Sequence, residues 1–447
     1  MKKRIIAVIC TLALAVIPLC TGETVQAEES VGTPILSKKT VTTNGNGGRT
    51  DVGAWYVTYN TASMWANNFG NGIPINYRVL MPDGSYGIPD SHDVEVIDFQ
   101  LAQLAEAKID FILFDLTNGG LTEKIPYGWE GNYWITETAQ LTCERIKLWN
   151  ENHDWKIKYA IAVGVYENLR QGLSIGEAAE YQSEGVWDLF YSKYGEDNYY
   201  QINGKPLMVL HDFGVENAAK IAAGWKYYVA SSRTDHDSGE RFAMRGSLST
   251  PKEDTGFSWY TPTSGTIVTE EAVTVNPGQW NHSNDAPNKP RLDGSYYISD
   301  WKQVLESEIT PDIVLISSFN DYNESTAVFT ADSSKVNPSW DNPWVDDTGE
   351  YNNAMYWEIT KEGIYELRKK NGDDFKNLEN MVANNARSWL TEKKTSAGAF
   401  NNLFVTEEGT INLAVVLPIM MGTFVLVMAV AVMIVVITLR AQNKKEK

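Results

Sequence analysis

Two acids, Asp321 and Glu324, stand three residues apart in the stretch "ISSFNDYNEST" (316–326). It follows directly on "PDIVL", a compact apolar run of the kind that forms a buried strand. Two carboxyl groups in environments that separate their pKa values can give a proton to one atom and take one from another. In a straight strand residues i and i+3 point to opposite faces. Asp321 and Glu324 can therefore serve one reaction only if the chain turns after Phe319, and "NDYN" is turn-prone. The plainer alternative is a solvated polar loop.

The elements that must position such a pair recur along the chain. Apolar runs at 52–59, 110–116, 156–166, 205–213, 225–231, 256–262, 271–278 and 312–320 read as eight strands. Amphipathic helices are expected at 93–108, capped by Asp90 or Ser91, at 137–152 and 297–307, with another beginning near Ser174. Strands alternating with helices imply a parallel sheet, and eight imply a (β/α)8 TIM barrel. An open doubly wound sheet satisfies the same periodicity. In a barrel the site is assembled where the strands end.

Those ends are rich in acids and aromatics. Tyr59 closes the first run and Asp115 the second, while Glu167 and Asp212 follow the third and fourth. Trp259 and Tyr260 lie on the sixth, and Asn320 precedes Asp321 on the eighth. Singly, each has an ordinary role as a helix cap or a core aromatic. Together they suit a sugar, whose C–H faces stack on aromatic rings and whose hydroxyls bond to carboxylates. Cleavage of a glycosidic bond needs a proton donor and a base or nucleophile, both carboxyl groups.

The same residues carry a resemblance. "DIVLISSFNDYNEST" resembles the last-strand signature of the family 99 glycoside hydrolases, endo-acting α-mannosidases, which reads Ser-Phe-Asn-Glu-Trp-His-Glu-Gly-Thr. It also resembles the Asn-Asp-Tyr-Gly-Glu-Ser stretch of the family 71 α-1,3-glucanases. "VGAWYVTY", "GSYGIPDSHDVEVIDFQLAQLAEAKIDFILFD", "DNYYQINGKPLMVL" and "VNPGQWN…RLDGSYYISDWKQVLE" are similar to further family 99 segments and occur in the same order. The resemblance implies that Asp321 is a base activating the sugar's own 2-hydroxyl and Glu324 the acid/base partner of the leaving group. It sets Glu167 beside a substrate-contacting glutamate and Tyr59 beside a strand-one tyrosine of the site. This chain departs from it in three places. Asp321 matches the shorter, family 71 form associated with inversion, Tyr322 and Asn323 replace Trp-His, and "DLTNGG" replaces a Trp-Trp-Gly end of strand two.

The ends of the chain bear on location. Residues 1–27 have the basic start, apolar stretch and small-residue end of a secretory signal peptide, an uncleaved anchor being the alternative. Residues 413–439 contain no charged residue and are long enough to span a bilayer. The basic residues of the tail at 440–447 place it inside and the bulk of the chain outside. Residues 28–50 read as a linker, 51–375 as the hydrolase-like domain and 376–412 as a stalk. Of the three cysteines only Cys143 outlasts cleavage after Ala27, which leaves no intramolecular disulfide.

The formal net charge of −19 disfavours nucleic acid and anionic polymers and is compatible with a neutral glycan. The five histidines are scattered, without an HExxH or a Cys/His cluster, so no zinc site is expected, and carboxylate-driven glycoside cleavage needs neither metal nor organic cofactor. The expected partners are a poly- or oligosaccharide and, through one helix, the membrane, with a monomeric ectodomain. Two rivals to an α-glycan hydrolase are a non-catalytic glycan-binding protein on the same barrel and an adhesive surface protein.

Overall fold

The computed structural model of the chain describes residues 49–67, 72–117, 133–164, 182–202, 204–211, 228–232, 246–247, 265–266, 268–280, 287–338, 341–373 and 378–390. Long apolar runs form its strands because both faces of a parallel sheet are covered. In chain order these are β1 (Asp51–Tyr56), β2 (Arg78–Leu80), β3 (Tyr86–Gly87), β4 (Phe111–Leu116), β5 (Lys158–Gly164) and β6 (Gln201–Ile202). They continue with β7 (Lys205–His211), β8 (Tyr228–Ser232), β9 (Gly246–Ser247), β10 (Ala272–Val275), β11 (Ile313–Ile316) and β12 (Ala331–Asp332). The helices that bear on the site are α1 (Ala62–Asn67), α2 (Val94–Glu106), α3 (Tyr133–Asn152), α4 (Ser295–Glu306) and α5 (Met355–Lys370); residues 182–194 are helical as well.

Seven of these strands pair in parallel, in the order β10-β11-β1-β4-β5-β7-β8. Each step advances one predicted strand along the sequence, and the step from β11 to β1 joins the last strand to the first. An open doubly wound sheet reverses direction at a switch point; no reversal occurs here. The short β9 pairs antiparallel with β8. The sixth predicted strand, 256–262, and the predicted helix start near Ser174 lie outside the described residues; the helical residues 182–194 lie downstream of that start. A separate three-stranded antiparallel sheet, β12-β2-β3, is fed by the chain leaving β11.

The strand starts are closed off by charge. Asp110, just before β4, accepts bonds from Arg368 Nη2 (2.7 Å) and Val52 N (2.7 Å) and is paired with Arg49. Arg368 Nη1 also donates to Thr50 O (2.6 Å). Residues 49 and 50, expected to end a linker, are thus buried in the domain. Such a network at the N-terminal face of the strands is a stabilising device and leaves the opposite face for chemistry.

Helix positions follow the sequence, with one correction. The N-cap of α2 is Asp93, whose carboxylate accepts from Glu95 N (2.9 Å). Asp90, one expected cap, instead accepts from His92 N (2.9 Å), while Ser91 Oγ accepts from Asn60 N (3.0 Å). Helix α5 packs so closely on α4 that a Cβ at Gly363 would lie 2.3 Å from the Trp301 ring. Its acids Glu358 and Glu362 are buried, and residues 378–390 satisfy them. Glu358 accepts from Ala386 N (2.9 Å) and Trp389 Nε1 (2.8 Å), and Glu362 from Ser388 Oγ (2.6 Å) and Trp389 N (2.6 Å). These residues, expected to open a stalk, are docked on the domain because their donors complete two buried carboxylates. Among the described residues no helix is long and apolar enough to cross a membrane. Residues 1–27 and 413–439 lie outside them.

Candidate active site

The chain turns where the acid pair requires it. After β11, Phe319 N still donates to Trp55 O (2.8 Å), which ties the segment to β1. The backbone then bends through residues 322–325. Asp321 organises the bend: its Oδ1 accepts from Asn323 N (2.8 Å) and Glu324 N (3.0 Å). Its carbonyl accepts from Thr326 N (3.1 Å) and Ala327 N (2.9 Å). The bend ends at Ser325, left-handed at φ 56°, a conformation uncommon away from glycine and a frequent mark of functional loops. The buried Arg291 holds this exit, with Nε on Ser325 O (3.0 Å) and Nη2 on Ala327 O (2.5 Å).

Asp321 is fully buried. Tyr59, three residues beyond β1, donates its hydroxyl to Asp321 Oδ2 at 3.1 Å. Burial, the charge of Glu324 and, to a smaller degree, that of Asp115 push the Asp321 carboxyl up to about 8. The Glu324 N–H and the Tyr59 hydroxyl pull the other way by stabilising the anion. Asp321 is therefore a strong base once ionised, with three donors already aimed at the charge.

Glu324 is half-buried. Gln279 Nε2, fully buried, donates to its Oε2 at 3.1 Å, and Trp280 N donates to its carbonyl at 2.9 Å. Both donors come from the turn after β10, where Gly278 is obligatory: a Cβ there would lie 2.5 Å from Arg291 Cγ. The same turn is pinned to the chain before α4 by reciprocal bonds between Gln279 and Lys289 (2.8 and 3.0 Å).

The structure thus brings Tyr59, Asp321 and Glu324 together. Asp115, on β4, is buried and accepts from Thr117 N (3.0 Å) and Thr117 Oγ1 (2.6 Å); its charge acts on both Asp321 and Tyr59. Asn320, expected to touch substrate, is committed elsewhere. Its Oδ1 accepts from Val57 N (2.8 Å) and its Nδ2 donates to Val57 O (3.0 Å), so it fastens the turn to the end of β1. Glu167, Asp212, Trp259 and Tyr260 lie outside the described residues. Tyr322 is buried among Trp65, Tyr77 and Trp344, at ring separations of 5.6, 5.5 and 6.3 Å. The roles of Gln279 and Arg291 were not read from sequence, although both stand in the "VNPGQWN…RLDG" segment; a buried amide and a buried guanidinium have no periodic signature. Among the described residues no group of His, Cys, Asp and Glu is arranged to hold a metal ion.

No protein-family model matches the chain. No curated protein matches it either. Among solved structures the chain is similar to the GH99 endo-alpha-mannosidase from Bacteroides thetaiotaomicron, at 18% identity and a TM-score of 0.47, covering 72% of this chain and 99% of that one. A second structure of that enzyme gives 16% identity and 0.45, covering 72% and 98%. A glycoside hydrolase-like protein gives 14% and 0.43, covering 75% and 97%.

Proposed function

We propose that the chain is a glycoside hydrolase of the cell surface that cleaves an α-linked polysaccharide of mannan or glucan type. The observation that carries this reading is the Asp321–Glu324 pair. One acid is buried and raised while the other is half-buried and hydrogen-bonded to an amide, on a single turn beyond the end of a parallel strand. Pairs whose environments separate their proton affinities divide acid and base work between them.

In this mechanism Asp321, held by Tyr59 and two backbone N–H groups, takes a proton from an attacking hydroxyl, the sugar's own or a water's. Glu324 gives its proton to the glycosidic oxygen as the C–O bond breaks. The motif resemblance assigns base to Asp321 and acid to Glu324, so the pair reacts in the form in which the proton held by the raised Asp321 carboxyl sits instead on Glu324. The sheet ends at β10 on one side and at β8, with the short antiparallel β9 on its edge, on the other; the run at 256–262 would supply the strand between them that closes a (β/α)8 barrel. Residues 413–439 would anchor the chain with this domain outside. The α linkage rests on the motif resemblance.

The test is a screen of the purified full-length protein against α-mannans and α-glucans, reading released reducing ends beside Glu324→Gln. Release by the wild type and not by the variant supports the hydrolase. Binding of a glycan by both without release replaces it with a binding protein.

A further inference from the structure

Gln279 has two ends in different situations. Its Nε2 donates to Glu324 Oε2 at 3.1 Å, while its Oε1 is buried and without a hydrogen-bond partner. An unpartnered buried acceptor is unfavourable by about 1–3 kcal/mol and calls for a reason. The backbone around it is fixed by the bonds to Lys289, and the adjacent Trp280 N is bonded to Glu324 O, so the amide cannot drift from the carboxylate.

We propose that Gln279 is the positioning residue of Glu324, an amide that offers N–H to the ionised carboxylate and, turned by half a rotation, C=O to the protonated acid. The reading rests on Glu324 being the acid of the proposed hydrolase, since only a group that changes protonation within each turnover needs such a partner. Glu324 releases its proton to the glycosidic oxygen and regains one from water before the next cycle. The terminal torsion of glutamine is broad and roughly two-fold, so both settings are accessible. With no partner on Oε1 no hydrogen bond is lost at the far end; the rotation exchanges one unpartnered polar atom for another.

The surroundings let Gln279 matter. The charge of Glu324 acts on Asp321, on its own turn, and on Tyr59, from the end of β1. Asp115, from β4, acts on those two. The nearby cations are turned elsewhere: Arg291 Nε and Nη2 lie on the carbonyls of Ser325 and Ala327, and Lys289 Nζ on Asp300 Oδ2 and Asn276 O (2.8 and 2.9 Å). The Gln279 amide is a side-chain donor that the structure places directly on the Glu324 carboxylate.

The experiment is a carbon-13 NMR titration of the full-length protein labelled at the glutamate side-chain carboxyl carbons, with Glu324 assigned by the peak lost in Glu324→Gln. Wild type is compared with Gln279→Met, which keeps volume and removes the amide, and Gln279→Asn, which withdraws it by one methylene. The charge-assisted bond to the carboxylate is stronger than the bond to the neutral acid, so loss of Gln279 is expected to move the Glu324 titration to higher pH, by up to roughly tenfold in proton affinity. Should the Met variant fail to fold, the Asn variant carries the test. A Glu324 titration superimposable on wild type in the folded variant overturns the proposal. No turnover is needed for this readout. A shifted titration in a protein that cleaves no glycan upholds the Gln279 contact and counts against the hydrolase instead.

Discussion

The hydroxyl of Tyr59 lies 3.1 Å from Asp321 Oδ2, joining the end of β1 to the turn after β11 across 262 residues of sequence. Burial, followed by the charges of Asp321, Asp115 and Glu324, keeps this phenol protonated far above its ordinary range. Tyr59 is a fixed donor, and what it stabilises is the ionised form of Asp321.

Replacing Tyr59 by Phe removes that donor and leaves the ring. A hydrogen bond to a charged group contributes about 1.5–3 kcal/mol, so kcat/KM should fall roughly 10- to 100-fold. The acid limb of the profile should also move to higher pH. Unchanged kinetics across the pH range would remove Tyr59 from the reaction.

The wild-type pH profile has a definite sign. If Asp321 is the base, kcat/KM should rise with pH through about 8, where its buried carboxyl ionises. A rate that instead falls as pH passes 8 would give Asp321 the acid's role. Steady-state rates between pH 5 and 10 on whichever glycan the screen identifies decide between them.

Asp321 also makes stability depend on pH. Its proton affinity is higher in the folded than in the unfolded chain, so its contribution is fully present below the unfolded value near 3.8 and is lost as pH rises through about 8. Asp321→Asn, which cannot ionise, should therefore raise the unfolding temperature most above pH 8, with the gain shrinking toward pH 4. Parallel melting curves of both proteins at several pH values check this. A gain independent of pH would sink the linkage.

The docking of residues 378–390 rests on Glu358 and Glu362 as acceptors. Glu362→Ala leaves Ser388 Oγ, Trp389 N and Leu390 N without that acceptor. Trypsin should then cut after Arg387 several-fold faster than in the wild type, as local opening becomes easier. Equal cleavage rates would mean that the segment is held by packing of Trp389 and Leu390 alone.

Much of the fold was legible because buried parallel strands are continuous apolar runs. Seven of the eight runs are strands, and a turn between Asp321 and Glu324, the condition for the two acids to work together, was signalled by the turn-prone "NDYN". The order of the strands was not legible, since neither periodicity nor spacing says which strand a neighbour chooses. The cap of α2 was misassigned among Asp90, Ser91 and Asp93 because all three are good caps, and only the hydrogen bonds made elsewhere by the first two leave Asp93 for the helix. Residues 378–390 lack periodicity, so nothing local showed that Trp389 would bond to an acid on α5. Asn320 looked like a rim residue for the same reason: its pairing with Val57 exists only once β1 and β11 are side by side. Gln279 stood inside a quoted motif, but what gives it a role is the carboxylate across the turn.

The adjacency of β11 and β1 has a consequence for biogenesis. When β1 and β4 have been made, the other edge of β1 has no neighbour, and it stays open until Ile313–Ile316 have followed. Tyr59 meets Asp321 only across that seam. A nascent or prematurely ended chain therefore carries an exposed strand edge and half of the candidate site, a state prone to mispairing. The last strand of the parallel sheet to be synthesised both joins β1 and leads into the turn with the two acids, so completion of that seam and assembly of the site are the same event.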